Sequence, residues 1–287
     1  MQTVGVVGIG LVGSALVERF RRGGKHVVGY DVRSECLQAL ADAGGQPLTS
    51  ACEVAGTADV IMLSLPDSQV AEAVLGQMAP RLPGKTVIDA TTGDPDAMAM
   101  LGRRLGETGT SYLDATIAGS SRQVRAGEVV VLAGGDAAAF RAAEDLFRLF
   151  ARQWFHLGPC GSGARMKLVV NLVLGLNRAV LAEGLAFARR FGFDLRLALD
   201  VLKSGPAYAR VMDTKGPKMI AGDFTPEARL CQHLKDVRLI LEAAGRFEDE
   251  LPLSRVHEGL LARLEELGFG EQDNSAVFRA FDDRSTP

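Results

Sequence analysis

The amino-acid sequence predicts an α/β protein, a doubly wound parallel sheet in the N-terminal half followed by an all-α C-terminal domain, and three observations carry that expectation. Across residues 3–133 short apolar runs alternate with longer amphipathic stretches, whereas across 163–281 the β-like runs nearly vanish. Between them HLGPCGSGA, residues 156–164, gathers Gly158, Pro159, Gly161 and Gly163, which break the preceding pattern. Parallel neighbours need crossovers of about a dozen residues or more, so a strand, helix, strand rhythm implies helices covering both faces of a sheet. A chain of 287 residues is long for one core and suits two mid-sized domains, expected at 1–160 and 161–287.

In order, TVGVV, HVVGYD, VIMLSLP, TVIDAT, YLDATIA and VVVLAGG read as strands, with helix-like segments separating the early ones. Segments 164–192, 194–204 and 227–246 carry helical periodicity. The most apolar stretch, 168–188, contains Asn171, Asn177, Arg178 and Glu183, so it reads as a buried helix and not as a membrane span. The final DDRSTP is expected to fray.

Composition narrows the function classes. With 47 % apolar and 23 % charged residues the chain lies near average globular usage. A formal charge of −3, without any Lys/Arg-rich run, favours neither nucleic acid nor an anionic membrane as partner. Cys36, Cys52, Cys160 and Cys231 are widely spaced and form no CxxC pair, so neither a disulfide framework nor a zinc site is expected. Met1 leads straight into a strand-like run without a basic segment or cleavage site, so no secretory leader is expected and a reducing, cytoplasmic setting fits best. His26, His156, His233 and His257 never fall three to five residues apart, which leaves a His-based metal site without support.

The glycine loop is the first motif with chemical content. Gly8-Ile9-Gly10-Leu11-Val12-Gly13 satisfies GxGxxG after the strand TVGVV and at the start of a helix, the context in which the motif binds a dinucleotide in a Rossmann-type domain. Gly8 suits a tight turn, Gly10 admits a pyrophosphate to the backbone, and Gly13 lets helix and strand pack closely. The segment Asp31-Val32-Arg33 ends the second strand at the distance where an acidic residue accepts hydrogen bonds from the adenosine ribose. A carboxylate there favours NAD, while Arg33, able to meet a 2′-phosphate if Asp31 turns away, leaves NADP open.

After the junction, KLVVNLVLGLNRAVLAE places Lys167 and Asn171 one helical turn apart, with Arg178 returning to nearly the same angle. That polar stripe reads equally as a snorkelling lysine above a solvated face or as a functional one.

The ordered set of motifs resembles the β-hydroxyacid dehydrogenase family, which includes 3-hydroxyisobutyrate dehydrogenases and tartronate semialdehyde reductases. It comprises GIGLVG, Leu65-Pro66, Asp89-Ala90-Thr91-Thr92, DATIAGS at 114–120, and Gly161-Ser162-Gly163 leading to Lys167 and Asn171. Glu183, Lys235-Asp236 after Phe224, and Asp273 with Ser275 complete it, so the likeness spans nearly the whole chain. The resemblance implies that Lys167 is the general acid and base and that Asn171 orients the substrate. It implies further that Leu65, Pro66 and Thr92 line the path toward the nicotinamide, and that Ala118, Gly119 and Ser120 hold the substrate carboxylate, Gly119 and Ser120 through backbone N–H groups. Lys235, carried over to the nicotinamide side, contacts substrate and cofactor and is a cationic neighbour that would lower the pKa of Lys167. Such a lysine suits the chemistry, because hydride transfer builds alkoxide character on oxygen that an ammonium can stabilise and protonate. A homodimer or homotetramer is also implied.

The family commonly reads DAPVSGG where this chain has Thr116 for proline and Ala118 for the substrate-binding serine. Ser120 offers another hydroxyl, and the Gly-Ser pair resembles the glyoxylate and succinic semialdehyde reductase branch. Gly93-Asp94 also departs from the usual continuation. The function expected is hydride transfer between NAD(P)(H) and a small β-hydroxy acid or its semialdehyde. An imine reductase on the same architecture is the first alternative, although those enzymes usually lack a lysine at the position of Lys167. A 6-phosphogluconate dehydrogenase needs a His-Asn pair where Val170-Asn171 stands. A non-catalytic NAD(P)-binding scaffold is the alternative from another class.

Overall fold

A computed structural model describes residues 2–281, so the DDRSTP segment lies outside the described residues. Its order is β1 (Thr3–Val7), α1 (Leu11–Arg22), β2 (His26–Tyr30), α2 (Ser34–Asp42), β3 (Gln46–Pro47), α3 (Ala51–Thr57), β4 (Val60–Leu63), α4 (Ser68–Met78) and β5 (Thr86–Asp89). There follow α5 (Pro95–Glu107), β6 (Ser111–Ala118), α6 (Ser121–Ala126), β7 (Val129–Gly135), α7 (Ala137–Phe147) and β8 (Ala151–His156). The helical half comprises α8 (Ser162–Arg190), α9 (Leu195–Ser204), α10 (Val211–Ala221), α11 (Leu230–Gly245) and α12 (Pro252–Leu264).

The strands form one 8-stranded sheet in the order β3-β2-β1-β4-β5-β6-β7-β8. Its central strands are rich in Val and Ile and almost wholly buried because helices cover both faces, the usual reading of a parallel sheet. One layer packs Val4, Val6, Phe20, Phe147 and Phe150, and the other packs Leu63, Leu75, Met78, Leu82 and Val87. Each such side chain contributes about 1.5–3 kcal/mol of transfer free energy.

The parallel sheet that the alternation predicts is found at every pairing except one: β7 runs antiparallel to β6. Their connection holds only the short α6, closed by Gly127 in the left-handed region, and is shorter than a parallel crossover demands. Two strands lack a sequence signal. β3 has 2 residues, and β8 is an edge strand, ARQWFH, whose exposed Arg152, Gln153, Phe155 and His156 give no apolar run.

The chain forms two compact units, Met1–Lys167 and a second beginning at Leu168, so the division falls inside α8. The second unit gathers Leu181, Leu185, Leu199, Leu230, Leu234, Leu261 and Val277 into its own core. Apart from a bridge between Arg229 and Asp273, its described residues contain no β structure.

The expectation that 168–188 is a buried helix needs correction. Only one side of α8 is buried, whereas Val169, Val173, Val180 and Phe187 form an exposed apolar stripe. By length and composition α8 could cross a membrane, but 44 % of its most apolar window is buried inside the protein.

Candidate active site

Four parallel strands end level with one another. The registers Val7↔Tyr30, Val7↔Leu63 and Leu63↔Asp89 bring Gly8, Asp31, Leu65-Pro66 and Thr92 out along one carboxyl edge. The chain reverses direction across the sheet between β1 and β4, and a crevice at such a point is where open α/β sheets bind ligands.

The loop after β1 has the shape a pyrophosphate needs. Gly8 has φ +88°, and a side chain there would strike the carbonyl of Ser64; one at Gly13 would overlap the carbonyl of Gly8. At Gly10, by contrast, an added Cβ would meet only Arg33 Nη2, at 3.7 Å. Helix α1 starts with Gly10 as N-cap, without a side-chain cap and without an acidic residue in its first turn. The first N–H groups of a helix are an anion site, and here neither a side chain nor a Cβ competes for that space. Leu11 and Val12 are half-buried in the first turn, while Ile9 is core.

Asp31 braces this loop. Its Oδ2 accepts the Ile9 N–H at 2.7 Å, and its Oδ1 accepts the Arg33 N–H at 3.0 Å and Arg33 Nε at 3.3 Å. The hydrogen bond to Asp31 raises the Arg33 pKa against a small opposing effect of burial. Val32 and Arg33 are exposed beside the loop.

Strand β6 continues past the shared edge, since its residues beyond Asp114 pair with β7. Gly119 follows at φ +153°, where a Cβ would meet Val129 Cγ1 at 2.5 Å. Ser120 then caps α6 in a capping box. Its N–H donates to Gln123 Oε1 at 2.8 Å and its Oγ accepts the Gln123 N–H at 3.4 Å. The expectation that the Ser120 N–H serves a substrate carboxylate is therefore corrected: that donor is engaged, and what Ser120 can offer is its hydroxyl hydrogen. Ala118 is half-buried.

Lys167 is 8 % exposed, and its Nζ donates to the Ile117 carbonyl at 2.7 Å, directly before Ala118-Gly119-Ser120. The start of α8 is fixed by Asp114, which accepts the N–H groups of Gly161 at 2.9 Å and Ala164 at 2.8 Å. Burial raises the Asp114 pKa, opposed by those two donors. Thr116 makes sense here: its hydroxyl lies 3.3 Å from the carbonyls of Leu132 and Gly163, tying β6 to β7 and to the helix start. Gly93-Asp94 also gains an account, because Asp94 caps α5 by accepting the N–H groups of Asp96 and Ala97.

In the second unit Asn171 is 6 % exposed and donates Nδ2–H to Asp236 Oδ2 at 2.8 Å. Lys235 Nζ pairs with Asp236 Oδ1 at 2.9 Å. Asp236, named in the sequence only beside Lys235 and given no role there, thus contacts both candidate residues. Arg178 is fully buried near Asp236 and Asp273; burial lowers its pKa to about 10, against the pull of both carboxylates. Helices α11 and α12 bring His233 and His257 to a ring separation of 5.2 Å, a pairing their sequence spacing hides. Burial, then Arg178, pushes His257 down to about 4, so it is neutral at physiological pH. Among the described residues no group of three or more His, Cys, Asp or Glu could hold a metal.

Residues 3–158 match the NAD binding domain of 6-phosphogluconate dehydrogenase, and residues 161–281 match the NAD-binding domain of NADP-dependent 3-hydroxyisobutyrate dehydrogenase. L-threonate dehydrogenase of Cupriavidus necator is 33 % identical over 285 residues, covering 98 % of this chain and 96 % of that protein. The chain belongs to the β-hydroxyacid dehydrogenase family. It is a Rossmann-type, NAD(P)-binding oxidoreductase, as the glycine loop and the fold anticipated.

Other known proteins are similar to this chain over different shares of their length. Glyoxylate/succinic semialdehyde reductase 2 of Arabidopsis thaliana is 28 % identical across 97 % of this chain and 79 % of that protein. The crystal structure of 3-hydroxyisobutyrate dehydrogenase from Salmonella typhimurium superposes with a TM-score of 0.89 at 25 % identity, covering 97 % of this chain and 99 % of that one. The cytokine-like nuclear factor N-PAC of Drosophila melanogaster is 30 % identical, but this chain spans only 47 % of its length. An imine reductase from Pseudomonas sp., at 22 % identity and a TM-score of 0.68, shares the fold.

Proposed function

We propose that the protein transfers hydride reversibly between NAD(P)(H) and a small β-hydroxy acid or its semialdehyde, with Lys167 as general acid and base. The observation that carries this reading is the buried Lys167 amine, held 2.7 Å from the Ile117 carbonyl at the mouth of the 118–120 loop.

The glycine loop at 8–13 and Asp31 would hold NAD(P)H, which would supply hydride for the carbonyl carbon. Lys167 Nζ donates a proton to the carbonyl oxygen as negative charge develops there, and takes it back in the oxidative direction. The Gly119 N–H and the Ser120 hydroxyl hold the substrate carboxylate, Ser120 replacing the hydroxyl missing at Ala118. From the family resemblance alone, Asn171, its amide oriented by Asp236, is assigned to orient substrate and Lys235 to substrate and cofactor binding. Leu65, Pro66 and Thr92 line the cofactor path. Asp31 favours NAD over NADP, because its carboxylate is fixed by the Ile9 N–H at the ribose position and repels a 2′-phosphate. We place the reaction in a reducing, cytoplasmic compartment.

A screen of NADH and NADPH oxidation over short semialdehydes and cyclic imines tests this reading. Turnover of semialdehydes, with higher kcat/KM for NADH, is expected. Turnover confined to imines would point to the imine reductase alternative, and cofactor binding without turnover to the scaffold. A clear NADPH preference would remove the argument from Asp31.

The exposed stripe on α8 is proposed to pack against a second copy of the chain, since contiguous apolar patches of this kind mark interaction sites. Val180→Glu in its middle is expected to shift sedimentation toward monomer. A wild-type protein already monomeric at micromolar concentration would refute the homo-oligomer.

A further inference from the structure

Asp89 is a carboxylate in an expensive place. It ends β5 with 0 % exposure, and burial raises its pKa to about 6, opposed by Thr91 and Tyr112 and reinforced by neighbouring Asp114. A buried carboxyl group is retained only where its hydrogen bonds compensate the lost hydration.

Those hydrogen bonds lead in one direction. Oδ2 accepts the Tyr112 hydroxyl at 2.8 Å, which anchors the carboxylate to β6. Oδ1 accepts the Thr91 N–H at 2.9 Å, which fixes the Thr91 backbone beside the carboxylate. The Thr91 hydroxyl, placed by that backbone bond, offers its lone pairs to a donor. That donor is the Leu65 N–H, 3.1 Å from Thr91 Oγ1. The last backbone bond between the two strand ends is Ala90 N–H to Leu63 O, at 2.9 Å, and the Thr91 hydroxyl continues the link beyond it. The two segments held together are those that precede Pro66 and Thr92.

We propose that Asp89 is a positioning residue for the dinucleotide: by holding the Thr91 N–H it places the Thr91 hydroxyl that accepts the Leu65 N–H, and so fixes the Leu65-Pro66 and Thr91-Thr92 segments side by side at the carboxyl edge of the sheet. This rests on the reading that these segments line the cofactor path. It does not depend on which substrate is reduced.

The test is fluorescence titration with NADH, read beside Tm, for Asp89→Asn, Thr91→Val, the double variant and Thr91→Ser. An amide at 89 that accepts the Thr91 N–H turns its NH2 toward the Tyr112 hydroxyl, which must then accept where it had donated, so the anchor to β6 is reversed. Each of the first two variants is expected to weaken NADH binding by about tenfold, the scale of one lost buried hydrogen bond. The double variant is expected to bind no worse than the weaker single one, because both break the same chain. Thr91→Ser keeps the hydroxyl and should bind as wild type does.

NADH affinity unchanged in Asp89→Asn and Thr91→Val would overturn the proposal. So would losses that multiply in the double variant, or a Thr91→Ser that binds as poorly as Thr91→Val. Because titration requires no turnover, these outcomes stand apart from failure to reduce any semialdehyde, which would bear only on the proposed reaction.

Discussion

Lys167→Met is expected to lower kcat by about two to four orders of magnitude, the usual range for removing a general acid. NADH binding should be nearly unchanged, since the glycine loop and Asp31 hold the dinucleotide without this side chain. Methionine fits a buried position of similar length and removes a charge that burial disfavours, so the fold should survive. Stopped-flow hydride transfer with a saturating semialdehyde separates the chemical step from binding. Retained turnover would refute the role of Lys167, and lost turnover accompanied by lost NADH binding would show a structural defect instead.

The largest stability effect is expected in the second unit, at Asp273. This carboxylate has 0 % exposure and meets Lys215 Nζ at 2.8 and 2.9 Å, the N–H groups of Glu227, Ala228 and Ser275, and the Ser275 hydroxyl at 2.7 Å. Burial alone would raise its pKa, but Lys215 and these donors outweigh it and hold the group at about 2. Asp273→Asn leaves the buried Lys215 ammonium with only the more distant Glu227 carboxylate, at 3.7 Å, and breaking a buried pair in this way typically costs about 3–5 kcal/mol. Thermal denaturation should then show Tm lower by on the order of 10 °C or more.

The pH dependence has a definite sign. A carboxyl group whose folded pKa lies below its unfolded value stabilises the fold fully above the unfolded value, near 3.8, and that stability is lost as pH falls through about 2. Wild type should therefore lose stability across that window, and Asp273→Asn should lose correspondingly less. Replacing both partners, as in Asp273→Leu with Lys215→Met, should recover only part of the loss, because the three backbone N–H groups still lack their acceptor. Equal Tm for wild type and Asp273→Asn would mean that the pair does not hold the second unit together.

Much of this fold was legible along the chain because its signals are local. The Val-rich runs of β1, β2, β4 and β5 are buried on both faces and stand out from their helices, whereas β8, half in solvent, does not. The direction of β7 was a matter of connection length, which apolar periodicity does not encode. The glycine loop was readable because its spacing falls between a strand and a helix start, although the carbonyl that excludes a side chain at Gly8 belongs to Ser64, on another strand end. The engagement of the Ser120 N–H by Gln123 was not legible, because it depends on a short helix that begins immediately after Ser120.

By itself the sequence determined where strands and helices alternate, where a dinucleotide meets a helix start, and which lysine and asparagine share a helix. These follow from period, turn chemistry and spacing, all properties of neighbours in the chain. Only the tertiary structure decided that Asp236 orients Asn171, that Asp114 seats α8, that His233 meets His257, and that Asp273 gathers its donors from three separate segments. A buried polar group must find partners wherever the fold brings them, and those partners lie tens of residues away, where no periodicity reaches.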